Sequence, residues 1–82
     1  MTKVQTQVLA IMSRVLMIEQ SKISLTMTRS QCDSWDSLRH IELIVAIEAN
    51  FDVRLSFEEI SLMESFDAIV DVIDKKEGLC EN

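Results

Sequence analysis

The sequence predicts an all-α fold, a four-helix bundle with a short third helix and a long loop between the first two helices. The 82 residues include no proline and one glycine, so the chain lacks the turn residues of a many-stranded protein. Apolar residues recur at helical spacing in three stretches, and hydroxyl residues placed three positions before Glu or Gln mark two helix starts. A chain this short, which buries about 60% of its unfolded surface, is expected to form one domain, residues 1–82.

The first helix is predicted over residues 3–17. Thr2 followed by Gln5 fits a capping box, in which each side chain bonds the backbone N–H of the other residue. An apolar stripe with the spacing i, i+4, i+7, i+11 follows, made by Val4, Val8, Ile11 and Val15. Such a stripe faces a core.

Residues 18–36 are predicted to form a loop, because they are rich in Ser, Thr and Gln and have no sustained period. Ile23, Leu25 and Met27 alternate with polar residues, but the sequence offers no partner strand. We therefore expect their side chains to pack on the bundle as part of the loop. A loop this long in a small domain is usually functional, and this one ends at Ser37.

The second helix is predicted from Ser37 to Phe51 and carries two apolar stripes. At roughly 100° per residue, the arc assigned to the core holds Leu43, Ile44, Ile47 and Phe51. The other arc, called the Leu38 patch below, consists of Leu38, Ile41 and Val45. We expect the Leu38 patch to be exposed beside Ser37, since a helix with two stripes buries one and offers the other to a partner. The alternative is that the loop of residues 18–36 covers both stripes.

A short third helix is predicted over residues 57–63. Ser56, with Glu59 three residues later, forms a second capping box before it. Its apolar residues are Phe57, Ile60 and Met63.

The fourth helix is predicted to start after Ser65, which caps it. Its apolar stripe is made by Phe66, Ile69, Val70 and Ile73. Lys75 and Lys76 suit the negative end of a helix, and Gly78 is expected to close this one in a left-handed turn.

The net charge of −6 argues against nucleic-acid binding, which needs clustered Lys and Arg. It favours protein partners with basic patches. No apolar run is long enough for a membrane span, and the first residues lack the apolar core of an export signal. A cytoplasmic monomer is expected.

The residues that usually build catalytic or metal sites are scarce. Cys32 and Cys80 are expected to be free thiols, and with one histidine, His40, the chain offers no metal cluster. A nucleophilic Cys32 or Ser34 paired with His40 would suit a small hydrolase, but no oxyanion loop is recognisable. We expect His40 to pack beside Trp35 or the loop instead.

Ser37 is the candidate functional residue, placed between Asp36 and Leu38 at the start of the second helix. The first turn of a helix leaves its N–H groups unpaired, and the helix dipole puts about half a positive charge there. That environment suits a bound phosphate. The Ser37 hydroxyl is therefore suited to a phosphodiester that stays open to solvent, the structural alternative being a helix-capping serine.

The stretch Asp36-Ser37-Leu38, followed by Ile41-Glu42-Leu43 and by Glu48 through Phe51, resembles the acyl carrier protein family. The similarity continues to Ile69 and covers roughly residues 33–73. In that family the serine of an Asp-Ser-Leu motif carries a 4'-phosphopantetheine arm, which implies that Ser37 is the attachment site. Ser34 also follows an aspartate, but it lacks the following leucine and the spacing to Ile-Glu-Leu.

The resemblance implies a four-helix bundle of acyl-carrier type that is a carrier and not an enzyme. A phosphopantetheinyl transferase would move the arm from coenzyme A to Ser37. The thiol of the arm would then hold acyl groups as thioesters for acyl-loading and acyl-processing enzymes with basic patches. Arg39 departs from the acidic pattern of fatty-acid-synthesis carriers, which favours a specialised pathway, polyketide-like or fatty-acyl.

Partner docking is assigned to the second helix. The acidic edge consists of Asp36, Glu42 and Glu48, and the Leu38 patch supplies the apolar contact, with Arg39 beside it. Two alternatives share these features: an aminoacyl or peptidyl carrier, and a helical protein-interaction module without a cofactor.

Overall fold

Four α-helices make up the fold in the computed structural model, which describes the backbone of residues 3–81 and the side chains of residues 3–76. The helices are α1 (Lys3–Leu16), α2 (Ser37–Phe51), α3 (Phe57–Leu62) and α4 (Phe66–Glu81). Within the described residues the only β pairing is an isolated bridge between Thr28 and Ser65. The predicted all-α fold with a short third helix is therefore confirmed.

The core lies between α1, α2 and α4, with α1 packed against both of the other long helices. Each fully buried aliphatic or aromatic side chain stabilises the fold by about 1.5–3 kcal/mol. Buried side chains of α1 are Val8, Leu9, Ile11, Met12 and Leu16; those of α2 are Leu43, Ile44 and Ile47; those of α4 are Phe66, Ile69, Val70, Val72 and Ile73. Phe51, which we assigned to the core, lies at its edge and is half-buried.

The long connection between α1 and α2 is more ordered than the sequence indicates. It contains two short 3-10 helices, Gln20–Lys22 and Arg29–Gln31. Ile23 is buried and Met27 half-buried, as expected, but the prediction that Leu25 packs on the bundle is wrong. Leu25 contacts the bundle through its backbone and not through its side chain. Its carbonyl accepts the N–H of Asp67 over 3.0 Å, while the side chain is exposed.

The N-terminus of α4 is capped by this loop and by Ser65. The Met27 carbonyl accepts the N–H of Phe66 over 3.1 Å, and Ser65 Oγ accepts the N–H of Ala68 over 3.2 Å. Donors that a helix leaves unpaired in its first turn are thereby satisfied. The predicted Ser65 cap is confirmed, and the loop is tied to the first turn of α4.

Helix ends differ from prediction at three places. Helix α3, predicted over residues 57–63, ends at Leu62. Helix α1 ends at Leu16 because Met17 adopts a left-handed backbone with φ of 59°. Helix α4 continues through Gly78 to Glu81, and no glycine in the described chain has a positive φ, so the predicted closing turn at Gly78 is wrong. The predicted cap at Thr2 lies outside the described residues.

The two lysines predicted to lie at the C-terminal end of α4 lie before it, because the helix continues to Glu81. Both make ion pairs with carboxylates. Lys75 Nζ lies 3.2 Å from Asp71 Oδ2, one turn earlier. Lys76 Nζ lies 2.9 Å from Glu59 Oε1 and so joins α4 to α3.

Helix α3 begins with the predicted capping box. The N–H of Ser56 donates to Glu59 Oε1 over 2.8 Å, and the N–H of Glu59 donates to Ser56 Oγ over 3.1 Å. The bond from Ser56, followed by the pairing with Lys76, holds the pKa of Glu59 below its usual value of 4.5. Among the described residues, no helix has both the length and the apolar character needed to cross a bilayer.

Candidate attachment site

Ser37 is the first residue of α2, and its side chain is exposed to solvent. The helix cap is the preceding residue: Asp36 Oδ1 accepts the N–H of Arg39 over 2.9 Å. Asp36 therefore fills the role that the alternative reading gave to Ser37, and the Ser37 hydroxyl is free of a capping bond. The structure presents this hydroxyl at a helix N-terminus, exposed to solvent.

A buried hydrogen-bond chain fixes the residues on both sides of Ser37. The Trp35 ring is buried, and its Nε1–H donates to Nδ1 of His40 over 3.0 Å. Because an indole N–H is only a donor, His40 Nδ1 must accept and the imidazole proton lies on Nε2. Nε2–H then donates to the carbonyl of Ile60, 3.2 Å away. The end of the loop, the first turn of α2 and helix α3 are joined at one point.

His40 therefore has a structural role, as expected from its place beside Trp35. Both of its ring nitrogens are occupied, by Trp35 and by the Ile60 carbonyl. Cys32 Sγ lies 3.2 Å from Ser34 Oγ, so these two side chains pair with each other. The structure does not bring either nucleophile together with His40, and the small-hydrolase alternative loses its geometric basis.

Arg29 contacts Ser37, and sequence analysis missed this residue. Arg29 Nη2 donates to Ser37 Oγ over 3.2 Å, and Arg29 Nε donates to the carbonyl of Trp35 over 3.3 Å. Arg29 stands eight residues before Ser37 in the loop, where no helical period relates the two positions. The available signal was a basic residue placed ahead of Asp33 and Asp36 in an acidic chain.

The Leu38 patch is exposed, as predicted. Leu38, Ile41 and Val45 are 64%, 62% and 60% exposed, whereas the core stripe of α2 is buried at Leu43, Ile44 and Ile47. The alternative that the loop covers both stripes is therefore wrong. Three large apolar side chains on one face of a helix, next to the exposed Ser37 hydroxyl, form a surface that suits a protein contact.

The acidic residues of α2 are not equally available. Glu42 is exposed, while Glu48 is half-buried and its Oε2 accepts the N–H of Leu55 over 3.0 Å. That bond fixes the chain between α2 and α3, so Glu48 has a structural function besides its charge. Asp36 combines its capping bond with an exposed carboxylate.

Arg39 is directed away from Ser37. Its Nη1 donates to the carbonyl of Val15 over 3.3 Å, at the last turn of α1, where a cation is favoured by the helix dipole. The same nitrogen lies 3.7 Å from Glu42 Oε2. Arg39 thus ties α2 to α1 and offsets part of the Glu42 charge beside the Leu38 patch.

The similarity of this chain to a known protein covers more than the residues around Ser37. No protein-family model matches the chain. The chain is 33% identical over 76 residues to a protein named acyl carrier protein from Buchnera aphidicola subsp. Schizaphis graminum (strain Sg). The alignment covers 93% of this chain and 96% of that protein, so it spans nearly the whole fold of each.

Proposed function

Because this chain belongs to the acyl carrier protein family, we propose that it holds acyl intermediates as thioesters on a 4'-phosphopantetheine arm attached to Ser37. Membership of this family makes the chain a carrier and not a catalyst. The observation that supports Ser37 as the attachment point is its exposed hydroxyl, at the start of α2 and inside the Asp36-Ser37-Leu38 motif.

The residues around Ser37 fit a phosphodiester. The N–H groups of Arg39 and His40 are taken by Asp36, whereas those of Ser37 and Leu38 bond to no acceptor in the described chain. They leave two donors and the positive end of the α2 dipole for an anion attached to Ser37 Oγ. When bound, the arm supplies a flexible thiol, and tethering raises the effective concentration of its cargo at each enzyme.

Docking of partner enzymes is proposed to use the surface next to Ser37. The Leu38 patch gives an apolar contact, and exposed carboxylates at Asp36 and Glu42 flank it. Such a surface suits a partner with an apolar pocket rimmed by Lys and Arg, where the charges speed encounter and the apolar side chains give affinity. The proposed partners are a phosphopantetheinyl transferase and the enzymes that load and process the acyl group.

The pathway is proposed to be a specialised one, fatty-acyl or polyketide-like. Arg39 supports this, because its guanidinium offsets the charge of Glu42 and makes the docking surface less acidic. An enzyme adapted to a strongly acidic carrier would gain less from this surface.

The proposal is tested by incubating the purified chain with coenzyme A and a broad-specificity phosphopantetheinyl transferase, followed by intact-mass measurement. We expect one added phosphopantetheine in the wild type and in Ser34→Ala, and none in Ser37→Ala. Ser34 is a matched control because it also follows an aspartate and lies three residues away. An unmodified wild-type chain would instead favour an interaction module without a cofactor.

The cargo is tested on the modified protein. Acyl and aminoacyl donors, each offered with a loading enzyme of that class, separate the acyl carrier from the aminoacyl or peptidyl carrier. We expect thioester formation with acyl donors, detected as a second mass increase that hydroxylamine removes.

A further inference from the structure

A fixed guanidinium lies beside the proposed attachment point. The backbone of Arg29 makes two hydrogen bonds. Its N–H donates to the Glu64 carbonyl over 2.7 Å, and its carbonyl accepts the N–H of Cys32 over 3.2 Å. Its side chain donates through Nε to the Trp35 carbonyl and through Nη2 to Ser37 Oγ. Trp35 is buried and donates to His40, so the carbonyl that accepts the Arg29 Nε–H belongs to a residue that is itself held in place.

The charge of Arg29 is uncompensated by a carboxylate. In the part of the chain that the structure describes, no Asp or Glu oxygen lies within ion-pair distance of Arg29, whereas Arg39 faces Glu42. The groups that Arg29 does contact are a neutral carbonyl and a neutral hydroxyl. An arginine that retains free N–H donors next to a hydroxyl is preorganised for an anion bonded to that hydroxyl.

We propose that Arg29 binds the phosphodiester attached to Ser37. This inference rests on the proposed attachment at Ser37. A phosphodiester at Ser37 would be formed on the oxygen that Nη2 contacts at 3.2 Å, so the guanidinium would lie next to the added negative charge. Charge-assisted bonds between arginine and phosphate are stronger than neutral ones and often involve two donors.

The experiment compares 31P NMR spectra of the modified wild type, Arg29→Gln, Arg29→Lys and Arg54→Gln at low and high salt. Arg54→Gln is a matched control, because Arg54 is exposed and follows the far end of α2, whose 15 residues span about 22 Å. Intact mass first establishes that every variant carries the arm, which separates this test from that of the attachment itself.

We expect the wild-type 31P resonance to differ from that of free phosphopantetheine and to move toward it as salt screens the contact. In Arg29→Gln the resonance should lie closer to the free value than in the wild type and should depend less on salt, because only the N–H groups of Ser37 and Leu38 still face the phosphate. Arg29→Lys should retain part of the salt dependence, since it keeps the charge but loses the fork of donors. Arg54→Gln should match the wild type.

A second measurement needs no variant. The Arg29 Nε–Hε resonance of the wild type should shift between the unmodified and modified forms, while that of Arg54 should not. If the arm is attached and the Arg29 resonance stays in place, or if Arg29→Gln and the wild type give the same folded-state 31P spectrum, the inference is overturned. A chain that accepts no arm would overturn the proposed attachment instead.

Discussion

Removing the imidazole of His40 tests the hydrogen-bond chain that supports Ser37. His40→Ala leaves the buried Trp35 Nε1–H without its acceptor at 3.0 Å and removes one of the two donors of the Ile60 carbonyl, which keeps its bond from the Met63 N–H. One orphaned buried donor costs about 1–3 kcal/mol, and the lost bond to Ile60 adds roughly 1 kcal/mol, so we expect a loss of about 2–4 kcal/mol. That is a large part of the ~4–12 kcal/mol expected for 82 residues.

The assay is urea unfolding followed by far-UV circular dichroism, analysed by linear extrapolation. Trp35→Phe provides the control background, because it removes the indole N–H that His40 satisfies. In that background His40→Ala should destabilise the protein by about 1–3 kcal/mol less than in the wild type. Equal losses in both backgrounds would refute the Trp35–His40 bond as the support of this region.

Three further predictions concern the core, the docking surface and pH. Phe66→Ala should lower the unfolding free energy by about 3–5 kcal/mol, because Phe66 is 1% exposed; Phe57→Ala, at a residue 87% exposed, should change it by less than about 0.5 kcal/mol. Glu42→Lys should slow modification by the transferase severalfold at low salt, because a rim charge mainly affects encounter. It should lower the unfolding free energy by less than about 1 kcal/mol, because the pair that it removes with Arg39 is exposed. The pKa of Glu59 is lowered in the folded state, so the charged carboxylate stabilises the protein above about pH 4.5. This stabilisation should be lost as the pH falls through the folded-state pKa of Glu59. Glu59→Gln should therefore destabilise the protein more at pH 7 than at pH 3.

The predictions for Glu42→Lys and Glu59→Gln each have a matched control variant. Asp74→Lys makes the same charge change as Glu42→Lys at an exposed position on α4; equal slowing in both variants would mean that net charge matters and the position does not. Glu58→Gln removes an exposed neighbour of Glu59. A pH-independent effect of Glu59→Gln, or an equal effect of Glu58→Gln, would contradict the lowered pKa of Glu59 that its contacts with Ser56 and Lys76 produce.

Patterns carried by neighbouring turns of one helix could be predicted from sequence. Both stripes of α2 follow from the period of 3.6 residues, and the structure separates them into buried Leu43 and exposed Leu38 as expected. The start of α2 and the Ser56–Glu59 capping box are likewise local features, set within four residues. Features that a few neighbouring residues determine can therefore be predicted from the sequence.

Contacts between distant segments could not be predicted. The exposure of Leu25 depends on its carbonyl meeting the N–H of Asp67 in α4. The contact between Arg29 and Ser37 depends on how the loop is anchored, and the direction of Arg39 depends on the end of α1. No period in the sequence relates such positions, so Arg29, the cation that contacts Ser37, became visible only in the folded structure.

Peptide mapping of the modified protein locates the arm on the chain. Trypsin should release residues 30–39 from the modified protein, a peptide that contains Ser30, Ser34 and Ser37. Electron-transfer fragmentation of that peptide should place the entire added mass on Ser37. Added mass on Ser30 or Ser34, or an unmodified peptide from a protein treated with an active transferase, would contradict the assignment of Ser37 as the carrier residue.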